Sequence, residues 1–140
     1  MPDVQQMKFM STFLAEELQA KAQEIDFAFI FGSAQDGIIR NNSDIDIAVY
    51  FNKNVHVSSD LLIKIISIIE NEIHDAECDI TVLNTADPIL RFEAIKGRLL
   101  FCKEDKFDEY LDFFSLTCRE YESQIADFER QILYRKELIT

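Results

Sequence analysis

Basic residues are scarce: the chain carries 14 Lys and Arg against 26 Asp and Glu, a formal charge of −12. A duplex-binding surface needs clustered cations to displace counterions, so direct nucleic-acid binding is not expected. A nucleotide held through bound cations, or a basic protein partner, fits this balance. Glycine and proline are scarce as well, three and two in 140 residues, which excludes a collagen-like chain and argues against a disordered one. Cys78, Cys102 and Cys118 form no C-x-x-C pair, and His56 and His74 have no partner at ligand spacing. No apolar run approaches the roughly 18 residues of a membrane span. The first residues, MPDVQQMKF, lack the basic end and apolar stretch of a signal peptide. These absences predict a reduced, cytoplasmic protein without membrane contact, its cysteines packed inside.

What is present suits one packed domain: nearly half the residues are apolar and twelve are Phe. Val4, Met7, Met10, Phe13, Leu14 and Leu18 recur at helical spacing over 3–23. The run FAFIF, closed by Gly32, predicts a short buried strand. The stretch 44-DIDIAVYF-51 alternates as a second strand. Ser58 or Ser59 caps a helix carrying Leu61, Leu62, Ile65, Ile66, Ile69 and Ile73. Residues 77–83 alternate again, with Cys78, Ile80 and Val82 on one face. Pro88 opens a short helix that Gly97 ends, and 98-RLLFC-102 supplies a last strand. The order α-β-β-α-β-α-β-α predicts a small mixed sheet flanked by helices.

Beyond Lys103 the chain turns highly charged and helical. Phe107, Leu111, Phe114, Cys118, Tyr121, Ile125, Phe128 and Ile132 are spaced four, three, four, three, as in an a/d heptad seam. Residues 1–103 read as a core and 104–140 as a helical tail of the same domain. The tail's role is either packing on helix 3–23 or contact with a partner. At 1.5 Å per residue it spans about 48 Å, longer than a domain of this size is wide.

The chemistry concentrates in 31-FGSAQDGIIRNNSDIDIAVYF-51. On a strand, residues i and i+2 share a face, so Asp44 and Asp46 project together while Ile45, Ile47, Val49 and Phe51 face the core. Carboxylates so close repel unless a cation lies between them, and hard oxygens of this kind suit Mg²⁺. Asp79 occupies the polar face of the third strand. If that strand neighbours the second, three carboxylates converge, enough for two Mg²⁺ ions. Gly32-Ser33, leaving a strand for a helix start, offers backbone N–H groups and a hydroxyl to phosphate oxygens. Each feature alone is commonly an ordinary turn or a solvated edge; their succession is not.

Gly32-Ser33, ten residues, Asp44-Ile45-Asp46 and then Asp79 resemble the signature of the DNA polymerase β-like nucleotidyltransferase superfamily over residues 5–103. The short length and 88-PILRFEAIKGRLLF-101 are similar to the minimal nucleotidyltransferase (MNT) subfamily, and the charged tail to MntA-type antitoxins paired with HEPN ribonuclease toxins. The resemblance implies an α+β polymerase β-like core with a long C-terminal helix. It implies Asp44, Asp46 and Asp79 as catalytic ligands of two Mg²⁺, Gly32 and Ser33 as nucleotide-binding, and ATP as substrate. The implied function is AMP transfer onto a tyrosine of the toxin, with which the chain forms a hetero-oligomer. Asp36 stands where many such sequences carry Arg before the turn glycine; Arg40, Arg91 and Lys96 are the candidate replacements as phosphate contacts. Neutralisation by binding alone, and modification of a small-molecule hydroxyl such as an aminoglycoside's, remain the alternatives.

Overall fold

A computed structural model describes residues 4–32, 44–73 and 77–139, with side chains from residue 13 to residue 136 within those spans. Ser33, Asp36, Arg40 and His74 lie outside the described residues. The elements follow the expected order: α1 (Val4–Lys21), β1 (Ile25–Phe31), β2 (Asp44–Phe51), α2 (Ser59–Glu72), β3 (Glu77–Val82), α3 (Pro88–Ile95), β4 (Arg98–Cys102) and α4 (Phe107–Ile139). Ser58 is the cap of α2, its side chain accepting from the Leu61 N–H. Asp87 caps α3 in the same way through the Leu90 N–H, with Pro88 in the first turn.

The strands form one mixed sheet in the order β3-β2-β1-β4. β1 pairs antiparallel with β2 and β4, whereas β2 and β3, joined through α2, run parallel. The two central strands are covered on both faces, which is why FAFIF shows no polar alternation. On one face Ala28, Ile30, Ile45, Ile47, Val49 and Phe51 meet Leu14 and Leu18 of α1, Ala22 just after it, and Leu61, Ile65 and Ile69 of α2. On the other, Phe27, Phe29, Ala48 and Leu83 meet Ala94 and Ile95 of α3 and Phe113 of α4. The sheet is thus the middle of three layers, an α+β arrangement.

α4 does not dock along the whole heptad seam, and it rests on α3 and the sheet rather than on α1. Its packed stripe is Tyr110, Phe113, Thr117 and Tyr121. Phe27 draws this stripe in: its ring stacks on Tyr50 at 4.6 Å and meets Tyr110 and Phe113 at 5.4 Å each. Tyr121 stacks on Phe92 of α3 at 3.7 Å. Thr117 is buried, with its hydroxyl satisfied by the Phe113 carbonyl at 2.7 Å. The seam residues Phe107, Leu111 and Phe114 stay exposed, and every described side chain from Glu122 to Lys136 is exposed. The three cysteines are half-buried and unbridged. Among the described residues, no helix is long and apolar enough to cross a membrane.

Candidate functional site

β2 carries acids only where the α3/α4 layer stops covering it. Along the face of that layer it reads Asp44, Asp46, Ala48, Tyr50; the last two lie beneath α3 and α4 and the first two do not. β3 repeats the pattern with Glu77, Asp79 and Thr81. The parallel register then decides the geometry. Asp46 stands directly opposite Asp79, and Asp44 opposite Glu77, with backbones about 4.8 Å apart across the ladder. Four carboxylates therefore share one face at one end of the sheet. Glu77 is the member that the sequence reading missed, although its position two residues before Asp79 carries the same alternation signal.

Asp46 is half-buried, while Asp44, Glu77 and Asp79 are exposed. Desolvation, and then the charges of Asp79 and Asp44, push the Asp46 carboxyl above its ordinary value. Next to it Gly32 follows the end of β1, and its φ of +71° is left-handed backbone. A Cβ there would lie 2.3 Å from Asp46 Oδ2. Only glycine fits there, because the Asp46 carboxylate fills the space that a side chain would need. Cys78, between Glu77 and Asp79, points to the opposite face, where burial first and the neighbouring acids second hold its thiol up to about 12. It is no nucleophile for this site.

Among the described residues, no three acidic, His or Cys side chains stand together as a ready ligand set. The triad Asp44, Asp46 and Asp79 is thus gathered on one face without being closed around a point. The donor chemistry still fits a hard divalent cation: oxygen ligands only, and carboxylates that repel one another.

The two cationic candidates part company. Arg91 is turned away: its Nε donates to the Leu83 carbonyl at 2.9 Å and its NH2 group to the Asn84 carbonyl at 3.0 Å. Those carbonyls lie just past the far end of β3, four and five residues beyond Asp79 and so about 13 Å or more along the chain. Its guanidinium also sits over Phe113 and near Glu120, so in this structure it ties α3 to β3 and α4 and is not gathered with the acids. Lys96 is at the right end. Gly97 after it butts against the Ile30 carbonyl and Phe31, and Phe31 pairs with Asp46. The Lys96 ammonium, exposed, rests on Glu93 at 3.0 Å.

The profile of the family described as polymerase beta, nucleotidyltransferase matches residues 14–106. No curated protein matches the chain significantly. Among solved structures, the chain is similar to a toxin–antitoxin with AMP-PNP, at 22% identity and TM-score 0.64, over 92% of this chain and 98% of that one. It is similar to a chain in the complex of tri-AMPylated Shewanella oneidensis HEPN toxin with MNT antitoxin, at 19% identity and TM-score 0.64, over 94% and 98%. A third is the toxin–antitoxin MntA-HepT, at 20% identity and TM-score 0.62, over 93% and 97%. At these identities the likeness establishes the fold. With the profile spanning two thirds of the chain and the paired acids standing beside the turn glycine, the protein belongs to the polymerase β nucleotidyltransferase family.

Proposed function

We propose that the chain is the antitoxin of a HEPN-type toxin and transfers AMP from ATP to a tyrosine hydroxyl of that toxin. One observation carries the reading: in a polymerase β fold, Asp46 and Asp79 face each other across a parallel ladder, with the Asp46 carboxylate packed against a glycine whose missing Cβ lets it sit there. The likeness to the AMPylated toxin complex and the AMP-PNP complex supports the choice of acceptor and nucleotide.

In this reading Asp44, Asp46 and Asp79 would hold Mg²⁺, two ions in all. When bound, the ion neutralises the triphosphate and lowers the pKa of a hydroxyl near it. Asp46, half-buried beside Gly32, would supply the cation ligand at the α-phosphate end of the nucleotide. Gly32 and Ser33 cradle the remaining phosphates, and Lys96 swings from Glu93 to meet them. Asp79, exposed on the edge strand, faces the acceptor and takes its proton. The tyrosine oxygen forms a bond to the α-phosphorus, the α–β anhydride bond breaks, and pyrophosphate leaves with the bonding electron pair. Tail 104–140 serves as the partner-binding element. The unbridged thiols and the ATP requirement suit the cytoplasm.

Incubation with labelled ATP, Mg²⁺ and the cognate toxin is expected to leave label on a toxin tyrosine, mapped by mass spectrometry. Asp46→Asn and Asp79→Asn are expected to abolish it. Undiminished labelling by both variants would remove the site. Full inhibition of an unmodified toxin by Asp46→Asn would replace catalysis with binding.

A further inference from the structure

Glu77 is the acid that the expected triad leaves over. It is exposed at the start of β3 and stands opposite Asp44 across the parallel ladder, as Asp79 stands opposite Asp46. The register fixes which acid is nearest to which. Asp44 and Glu77 have backbones about 4.8 Å apart across the ladder. Asp44 and Asp46 are about 7 Å apart along the strand, and Asp44 and Asp79 about 8 Å on the diagonal. Glu77 is therefore nearer to Asp44 than either of the two aspartates expected to share its cation. Among the described residues no lysine or arginine pairs with Glu77, whereas Glu24, Glu93 and Glu109 each have a lysine within 3.4 Å.

The spacing suits one hard cation. Two carboxylate oxygens on one Mg²⁺, each roughly 2.0–2.1 Å from it, stand at most about 4 Å apart, close to the ladder spacing. Glutamate also has one methylene more than aspartate, so its oxygens reach farther from the strand. Without a cation, two carboxylates at this spacing repel each other. We propose that Glu77 is a fourth cation ligand, completing with Asp44, directly or through a coordinated water, the shell of the ion at the outer end of the acid face. The two ions of the preceding reading are then served by two cross-ladder pairs, Asp44 with Glu77 and Asp46 with Asp79. The sequence pattern alone cannot show this, because the pairs belong to the register and not to either strand.

The inference rests on the preceding reading for the cations and needs neither nucleotide nor toxin, so Mn²⁺ alone is the probe. Its binding to the full chain is titrated by electron paramagnetic resonance. Glu77→Gln is expected to weaken binding at least fivefold, and Asp44→Asn as much. The double variant is expected to bind within twofold of Asp44→Asn alone, since both side chains serve one ion. Glu70→Gln removes an equal charge from an exposed position on α2, beyond the other face of the sheet, and is expected to change affinity less than twofold. All three replaced side chains are exposed, and circular dichroism checks that each variant is folded. In the labelling assay, Glu77→Gln is expected to raise the Mg²⁺ concentration for half-maximal rate at least fivefold, with the rate at saturating Mg²⁺ within threefold of the original. A loss of Mn²⁺ affinity in Glu77→Gln no larger than in Glu70→Gln would overturn the proposal. So would losses that multiply in the double variant, the mark of two independent charges. Absence of Mn²⁺ binding by the unaltered chain would remove this ligand together with the metal role of the three aspartates. Absent labelling with the Mn²⁺ pattern intact would sink only the transferase reading.

Discussion

Replacing Gly32 by alanine separates the chemistry of this site from the stability of its fold. At φ +71° an L side chain costs about 1–2 kcal/mol. At roughly 3 °C per kcal/mol for a domain of this size, the midpoint of thermal unfolding falls by about 3–6 °C. The new Cβ also meets Asp46 Oδ2 at 2.3 Å. That oxygen is the far end of a side chain, so it swings aside at little cost in stability, by about 1 Å to regain van der Waals distance. A displacement of that size at a reacting centre costs about 100-fold in rate. The expected result for Gly32→Ala is a folded protein, modestly destabilised, with kcat down about 100-fold at saturating ATP and Mg²⁺. Gly97→Ala inverts the pattern. Its Cβ would strike the Ile30 carbonyl at 2.4 Å and lie 3.0 Å from Phe31 Cα, backbone atoms that have nowhere to swing, so stability falls first. Labelling rates and differential scanning fluorimetry on the two variants decide. Transfer by Gly32→Ala within threefold of the unaltered rate would refute the placement of Asp46 at the reacting centre.

Asp79→Asn is expected to reduce transfer to background while thermal unfolding shows a midpoint equal to or above the original, because Asp46 loses a repelling neighbour. Arg91→Lys loses a bidentate grip on two carbonyls and is expected to cost about 1–3 kcal/mol in urea unfolding, with kcat of the folded protein unchanged. Lys96→Ala reverses this, leaving the urea midpoint in place and raising KM for ATP severalfold. Asp26 is wholly buried, its oxygens without a hydrogen bond, and Lys103 Nζ lies 3.6 Å away. Lys103→Met strands that carboxylate and is expected to cost about 3–5 kcal/mol in urea unfolding, Asp26→Asn less, since Lys103 is part-exposed and reaches water.

The order of elements and the shared face of Asp44 and Asp46 were legible because both depend on local periodicity. So was the polar face of Asp79. The pairing of Asp46 with Asp79 was not, because a parallel register set through the α2 crossover depends on how Ile65 and Ile69 seat against Ile45 and Ile47. The direction of Arg91 was not legible for a related reason. Sequence places it on α3, but its direction is set by two carbonyls left over at the end of β3, a tertiary demand. The tail seam was read correctly as a repeat and incompletely as packing. The aromatic face of β1 selects Tyr110 and Phe113, one position off the seam, and leaves the seam's own Phe107, Leu111 and Phe114 outside.

β3 is an edge strand, with Asp79 and Glu77 on its open end. Bare edges invite another chain to add a strand, and charge is the usual defence. Acids at this edge, whatever else they serve, keep neighbouring molecules from extending the sheet. Exchanging both for amides would silence the chemistry and at the same time remove that defence, so a catalytically dead double variant is a more sociable protein, readier to join its sheet to another's.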